Sequence, residues 1–478
     1  MFEPSGVAIV GVSAEGMGFG RGILLAIQQM GYAGGLYPVN PKGGTVAGLQ
    51  IYESVASIPH TIDLGIIAVP APHVPAAIEQ CLYKGAAGVE ILSAGFRETD
   101  TPAGIDLEKK VRGLAQGGIR VVGPNCFGIY NPRTGLTLLP GPDLSREPGP
   151  VAFISQSGGM TVDFAHVGKW RGIRFSTMVS FGNGADLRET ELLDYFLHDA
   201  ETGVIAMYIE GLDDGRRFFS ILKQVTARKP VIICKGGMSE SGMRAAMSHT
   251  ASIAGASEVW KAVIRQCNAV LATDLNDICN YSLAFSMLPR ARYRGISLIG
   301  GGGAIGVAAA DMAAEYGMLI PELDPEIQQE INPLLPQPGS SAKNPVDVAN
   351  PFVPPANLQK ILVATARSRD VDIQIVVQLL YHYKSLSIQM PGRTVMDITP
   401  IHDFAEAFSS AAASTGKPVI VVLPEYKQEI EALDIAEMIR TARKLYTEKG
   451  IPVYSDVKEA LRSINVISNY QSRLLTRD

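Results

Sequence analysis

The stretch VAIVGVSAEGMGFGRGIL, residues 7–24, decides the fold. It opens as an apolar run, breaks into a turn carrying Gly11, Gly16, Gly18, Gly20 and Gly22, and closes in a helical pattern. An uninterrupted apolar strand of this kind is buried on both faces of a parallel sheet. A Gly-rich turn into a helix lets backbone amides and the helix dipole approach an anion, although a ligand-free strand-to-helix connection has the same look. The pattern continues through GGLYPVN (34–40), DLGIIAVPAP (63–72), PAAIEQCLYKG (75–85), GVEILSAGF (88–96) and IRVVGPNCFG (119–128). Strands alternating with amphipathic helices predict a doubly wound, Rossmann-like α/β domain over residues 1–130.

The second strand narrows the choice of ligand. A dinucleotide site of the NAD type carries an acidic residue about twenty positions after the glycines, on the ribose hydroxyls. Here that region reads YPVNPKGG, with Asn40 and Lys42. A lysine suits a phosphorylated ribose, which leaves NADP or coenzyme A. Pro70, Pro72, Pro75, Pro124 and Asn125 fall where later strands end, at the ligand edge of such a sheet, although prolines there also simply end strands.

Beyond NPRTGLTLLPGPDLSREPGP (131–150), which reads as a linker, the alternation resumes. PVAFISQSGG, RFSTMVSFG, GVIAMYIEG, KPVIICKGG and NAVLATD predict a second α/β domain over residues 146–290. ISLIGGGGAIGVAAADMAAEYG, VDIQIVVQLL, KPVIVVLPEY and GIPVYSD predict a third over 294–470. Both later domains open with a strand, a Gly-rich turn and a helix, which suggests an old duplication. A net charge of −5 supplies no basic footprint for nucleic acid or an anionic membrane. No apolar run is long enough to span a bilayer, and the N-terminus lacks the pattern of a signal peptide. The five cysteines form no CxxC pair, and the histidines other than His249 show no HxH or HExxH spacing. A cytoplasmic protein without a structural metal site is expected.

The second glycine turn, Ser155, Gln156, Ser157, Gly158 and Gly159, offers amides and hydroxyls at a helix start, a pocket sized for phosphate or a phosphoryl group. Ser157 equally fits an ordinary helix cap. Some twenty residues between Lys235 and Glu258 lack clear periodicity and include MSHTASIAGA (247–256). Loops of that length are uncommon unless functional or disordered, so His249 is either a surface residue in a floppy insertion or a delivered reactive group. Neutral imidazole accepts a phosphoryl group when a carboxylate orients its other nitrogen. Glu210, just after an apolar strand, is the candidate for that carboxylate; Asp213 and Asp214 look like the cap of the next helix.

Taken in order, VGVSAEGMGFGRG, YPVNPKGG, AVPAP, ILSAGF, GPNCFG, ISQSGGM, SFGNGAD, MYIEG, SHTASIAG and KNPVDV resemble the α subunit of nucleoside-diphosphate-forming acyl-CoA synthetases, the ADP-forming acetyl-CoA synthetase group related to succinyl-CoA synthetase. The resemblance implies a CoA-binding first domain, with contacts from Gly11, Ser13, Gly18, Gly20, Asn40, Lys42, Val69, Pro70 and Asn125, and two flavodoxin-like succinyl-CoA-ligase domains. It implies phosphate at Ser155–Gly159, transient phosphorylation of His249 and a partnering Glu210. With three α/β domains assigned, no span remains for an ATP-grasp domain, so a separate β subunit is implied, bringing ADP or ATP and Mg2+ into a hetero-oligomer. The family commonly has SHTGSLAGS where this chain has Ala251 and Ile253, and an NAGG-like turn where it has Gly300–Gly303. These departures leave the histidine chemistry intact and open the identity of the small carboxylic acid. The competing readings are a CoA-binding regulatory protein, a nucleotide-independent acyl or carbamoyl transferase, and an NADP oxidoreductase.

Overall fold

The apolar runs form strands where their β-branched content places them. In the computed structural model residues 1–137, 143–244 and 257–476 are described. They divide into two units, Met1–Lys169 with Ile173–Ile278, and Trp170–Gly172 with Cys279–Asp478.

The first unit holds two sheets. β1 (Gly6–Val10) and β2 (Gly35–Val39) are followed by a small antiparallel pair, β3 (Thr45–Val46) and β4 (Leu49–Gln50), and then by β5 (Leu64–Ile67), β6 (Gly88–Ile91) and β7 (Arg120–Val122). The five longer strands lie parallel in the order β2-β1-β5-β6-β7. The chain leaves β1 for one neighbour and returns to the other, so a crevice opens at the carboxyl ends of β1 and β5, where ligands bind in sheets of this kind. Gly11 sits there at φ +102°, and an added Cβ would run into the carbonyl of Ala68. A Cβ on Gly20 would lie 2.8 Å from the Gly11 oxygen, so helix Phe19–Gln29 packs against β1 only because both positions are glycine.

The second sheet has the order β13-β12-β11-β9-β10-β8. Its members are β8 (Gly128–Tyr130), β9 (Pro148–Ser155), β10 (Phe175–Ser180), β11 (Val204–Ile209), β12 (Val231–Lys235) and β13 (Val270–Ala272). All pair parallel except β8, which runs antiparallel to β10 with Met178 opposite Tyr130. The tail of the segment grouped with the first domain from sequence therefore hydrogen-bonds to the second sheet. One apolar cluster runs through both sheets, from Val7, Ile9 and Leu24 through Val122 and Ile129 to Ile154, Phe181 and Met207.

Glu90 on β6 lies at this joint, only 2% exposed. Burial raises its carboxyl to about 8, against a hydrogen bond from the Ile129 amide that works the other way. The folded chain thus holds a proton that the unfolded chain releases above its ordinary value, and stability falls as pH rises from about 4.5 to about 8. Glu90→Gln, which keeps the shape and removes the ionisation, is expected to flatten that slope and raise the melting temperature at pH 8. Melting curves of both proteins from pH 5 to 8.5 check this; parallel curves would refute it.

The second unit carries a parallel sheet in the order β14-β15-β16-β17: β14 (Ile296–Gly300), β15 (Ile373–Val377), β16 (Val419–Val422) and β17 (Val453–Tyr454). Helices such as Pro355–Thr365, Ile401–Thr415 and Leu433–Glu448 contribute Ile361, Phe408 and Met438 to its core. The α/β class read from the sequence is the class the structure shows. Among the described residues no helix is long and apolar enough to cross a membrane.

Candidate functional site

β9 ends at Ser155, and helix Gly158–Arg171 begins three residues later. Ser155 is fully buried and braces the turn: its hydroxyl donates to the Ser157 carbonyl at 2.8 Å and accepts from the Ser157 amide at 3.0 Å. Its predicted neighbours Gln156, Ser157, Gly158 and Gly159 instead line a cavity of about 310 Å3. Ser157 also caps the helix, its Oγ accepting from the Met160 amide at 3.3 Å, so one residue both caps the helix and lines the cavity. The facing wall comes from the other sheet's last turn, Asn125, Cys126 and Phe127, together with Phe19. The Phe127 ring lies across Gly158 so closely that a Cβ there would overlap it. Glycine at 158 is therefore what brings the helix amides up to that wall.

Gln156 couples this turn to the predicted carboxylate. Its Oε1 accepts from the Gly211 amide at 3.0 Å and from the Glu210 amide. Glu210, 7% exposed at the end of β11, accepts on Oε1 from the Tyr208 hydroxyl at 3.2 Å. Burial, and then the Glu210 carboxylate, raise the Tyr208 phenol, so Tyr208 remains a donor. Lys235 at the end of β12 donates to the Glu210 carbonyl at 2.8 Å and stands 5.5 Å from the Trp260 ring centre. Burial lowers its ammonium below the ordinary value, with Glu210 opposing that effect. Asp214 caps helix Gly215–Thr226, accepting from the Arg217 amide at 3.0 Å, as its position in the sequence suggested. His249, Ala251 and Ile253 lie outside the described residues.

The residues expected at CoA follow strand ends of the first sheet: Gly11, Ser13, Gly18 and Gly20 after β1, Asn40 and Lys42 after β2, Val69 and Pro70 after β5, and Asn125 after β7. Gly11 and Gly20 form the close helix approach, and Gly18 is the N-cap residue of helix Phe19–Gln29, extended at φ −152°. The Ser13 hydroxyl has no hydrogen-bond partner among the described residues. Asn40 turns its Oδ1 back onto the Lys42 amide at 3.0 Å, leaving the Lys42 side chain exposed. The Val69 carbonyl accepts from the Ser93 hydroxyl, and the Pro70 carbonyl from the His73 amide at 2.9 Å. Asn125, at φ +56°, donates from its side chain to Asn183 Oδ1 at 3.4 Å. Sequence reading missed Asn183, Phe127, Tyr208 and Lys235; SFGNGAD was noticed as a motif, but nothing in it singles out the asparagine.

A second cavity, about 190 Å3, belongs to the second unit, at the carboxyl edge of β14 and β15. Gly300–Gly302, Asn350, Gln378 and the apolar Val353, Leu358 and Leu380 line it.

Two family models match this chain: a CoA binding domain over residues 5–132 and a succinyl-CoA ligase like flavodoxin domain over residues 148–285. The chain is 32% identical to the acetate–CoA ligase [ADP-forming] I subunit alpha of Pyrococcus furiosus, over 98% of this chain and 96% of that one. It is 31% identical to acetate–CoA ligase [ADP-forming] I of Archaeoglobus fulgidus, covering 98% of this chain but 63% of that longer protein. A solved structure of the Korarchaeum cryptofilum dinucleotide forming acetyl-coenzyme A synthetase 1, in complex with phosphate and ADP, superposes with a TM-score of 0.81 at 29% identity, over 100% of this chain and 98% of that one. A CoA-binding sheet joined to a ligase-like flavodoxin sheet defines the class, and the chain belongs to the ADP-forming acetate–CoA ligase family. Within that family it corresponds to the alpha subunit, with which it aligns over nearly its whole length.

Proposed function

We propose that this chain is the CoA-binding, phosphoryl-carrying subunit of an enzyme interconverting acyl-CoA, ADP and phosphate with acid, CoA and ATP. In the ATP-forming direction a phosphate oxygen attacks the thioester carbonyl, the carbon–sulfur bond breaks, and CoA leaves as a thiolate that takes up a proton. A His249 nitrogen then attacks phosphorus of the acyl phosphate and the carboxylate departs. The terminal oxygen of ADP finally takes the phosphoryl group from nitrogen, giving ATP and neutral histidine. Gln156–Gly159 hold the phosphate, and Glu210 supports the cation that forms on the imidazole. The crevice around Gly11, Ser13, Gly18, Gly20, Asn40, Lys42, Val69, Pro70 and Asn125 takes CoA. We assign the domains to residues 1–130, 146–290 and 294–470, with the Gly128–Tyr130 strand at the end of the first pairing into the second sheet.

The observation that carries this reading is the single cavity bounded by the phosphate-type turn Ser157–Gly159 on one side and by Asn125 and Phe127 of the CoA-side loop on the other. Gln156 ties the same turn to the Glu210 and Gly211 backbone amides. A second polypeptide, of the ATP-grasp kind, supplies the nucleotide site and its Mg2+. The span of the longer Archaeoglobus relative beyond its match here, and the subunit designation of the Pyrococcus one, support that partner. Five buried cysteines, none of them in a CxxC pair, suit a reducing cytoplasm.

The test is co-purification with tagged chain, followed by a panel of small, branched and aromatic acids with CoA, ATP and Mg2+. Acid-dependent ADP release by the heteromer, absent from either polypeptide alone, is the expected result. Acyl transfer without nucleotide, or CoA binding without turnover across the panel, would replace this reading by the transferase or the regulatory one.

A further inference from the structure

The loop 181–187 joins β10 to the helix that follows, yet much of its backbone bonding is to the first sheet. The Asn183 amide donates to the Pro124 carbonyl at 2.9 Å, Ala185 to Gly123 at 2.8 Å and Leu187 to Val121 at 3.0 Å. Asp186 accepts from Arg120 Nε and the Val121 amide, each at 2.8 Å. Gly182, at φ +53°, presses against the Pro124 and Asn125 carbonyls, where no side chain fits. Asn183 is thus delivered to the wall of the 310 Å3 cavity, 7% exposed.

Its side chain has one permitted orientation. Nδ2 donates to Glu98 Oε2 at 2.6 Å and to Glu108 Oε2 at 2.9 Å, using both amide hydrogens. An ionised carboxylate only accepts, so turning the amide over would set oxygen against oxygen. Burial alone would raise Glu98, but hydrogen bonds from Asn183 and from the Gly95 and Phe96 amides hold its carboxyl below the usual range. Glu108 is paired with Arg97 at 3.3 Å and with Arg112 at 3.5 Å. Arg97 also donates to the Asn183 carbonyl at 3.1 Å, fixing the backbone. Oδ1 accepts from Asn125 Nδ2 at 3.4 Å, which leaves this oxygen, in a residue that lines the cavity, a second lone pair for a further donor.

We infer that Asn183, locked by Glu98 and Glu108, is a positioning residue whose Oδ1 accepts a hydrogen bond from a neutral donor at the end of the CoA arm, an amide N–H or the terminal S–H. This rests on the CoA reading above and adds to it a residue 58 positions away from Asn125 in the chain. The lock keeps the acceptor from swinging to its donor face, which would repel the arm.

The test uses the complex with its partner. In Asn183→Asp a carboxylate faces two others and cannot donate to them, so the KM for CoA is expected to rise about tenfold or more, with a smaller fall in kcat at saturating CoA. Adding Glu98→Gln restores a donor, because the amide introduced at position 98 can supply the hydrogen that the new carboxylate lacks, and Asn183→Asp/Glu98→Gln is expected to recover most of the CoA affinity. Calorimetry with CoA and with desulfo-CoA separates the two donors: an equal loss for both assigns the amide, and a loss for CoA alone assigns the thiol. A single variant with wild-type KM for CoA, or a double variant no better than the single, overturns the inference. Wild-type complex that neither binds CoA nor takes phosphoryl label from ATP overturns the underlying reading instead.

Discussion

His249→Ala is expected to abolish acid-labile, alkali-stable labelling of the chain by γ-labelled ATP in the presence of its partner, and to lower ATP formation by at least about four orders of magnitude. Removal of a covalent nucleophile acts on that scale because no neighbouring group takes over the bond. Acid lability with alkali stability identifies a nitrogen–phosphorus link, which a serine ester would not reproduce. CoA binding should survive, since the residues proposed to hold CoA lie elsewhere in the chain, between Gly11 and Asn125. If the alanine variant retains the label, another residue carries the phosphoryl group and the three-step route fails.

Glu210→Gln is expected to slow histidine phosphorylation by about two to four orders of magnitude, the range seen when an orienting carboxylate is made neutral. The fold should tolerate the change, because Gln156 holds Glu210 and Gly211 through their backbone amides and not through the carboxylate. The Tyr208 hydroxyl at 3.2 Å still finds an amide oxygen to donate to. What disappears is the negative charge proposed to stabilise an imidazolium. Single-turnover labelling separates the outcomes: slow but complete labelling is expected, and an unchanged rate would remove Glu210 from the chemistry.

The parts of the site that sequence made legible are those built from neighbours in the chain. The Gly11–Gly20 turn, the Ser157–Gly159 turn, the Asp214 cap and the strand-end position of Glu210 each follow from a local pattern of apolar run, glycine and polar punctuation. Ser155 shows the limit of such reading: it shares the turn with Ser157, but the strand's alternation points its hydroxyl into the backbone instead of the cavity. The Asn183 lock was out of reach, because Glu98 and Glu108 stand 85 and 75 residues away and meet it only through tertiary packing. The same holds for β8, whose three residues read as the end of one sheet and hydrogen-bond to another. Phe127 carries no chemical signal in the sequence; its role comes from lying where Gly158 leaves space.

The antiparallel seam of Gly128–Tyr130 with β10 has a kinetic consequence. Under the proposed function it joins the CoA-side turn to the phosphate-side turn, so their separation is set when the chain folds and not in each encounter. The translational and rotational entropy of bringing two reactants together is met once, during folding, and every later turnover starts from the same spacing.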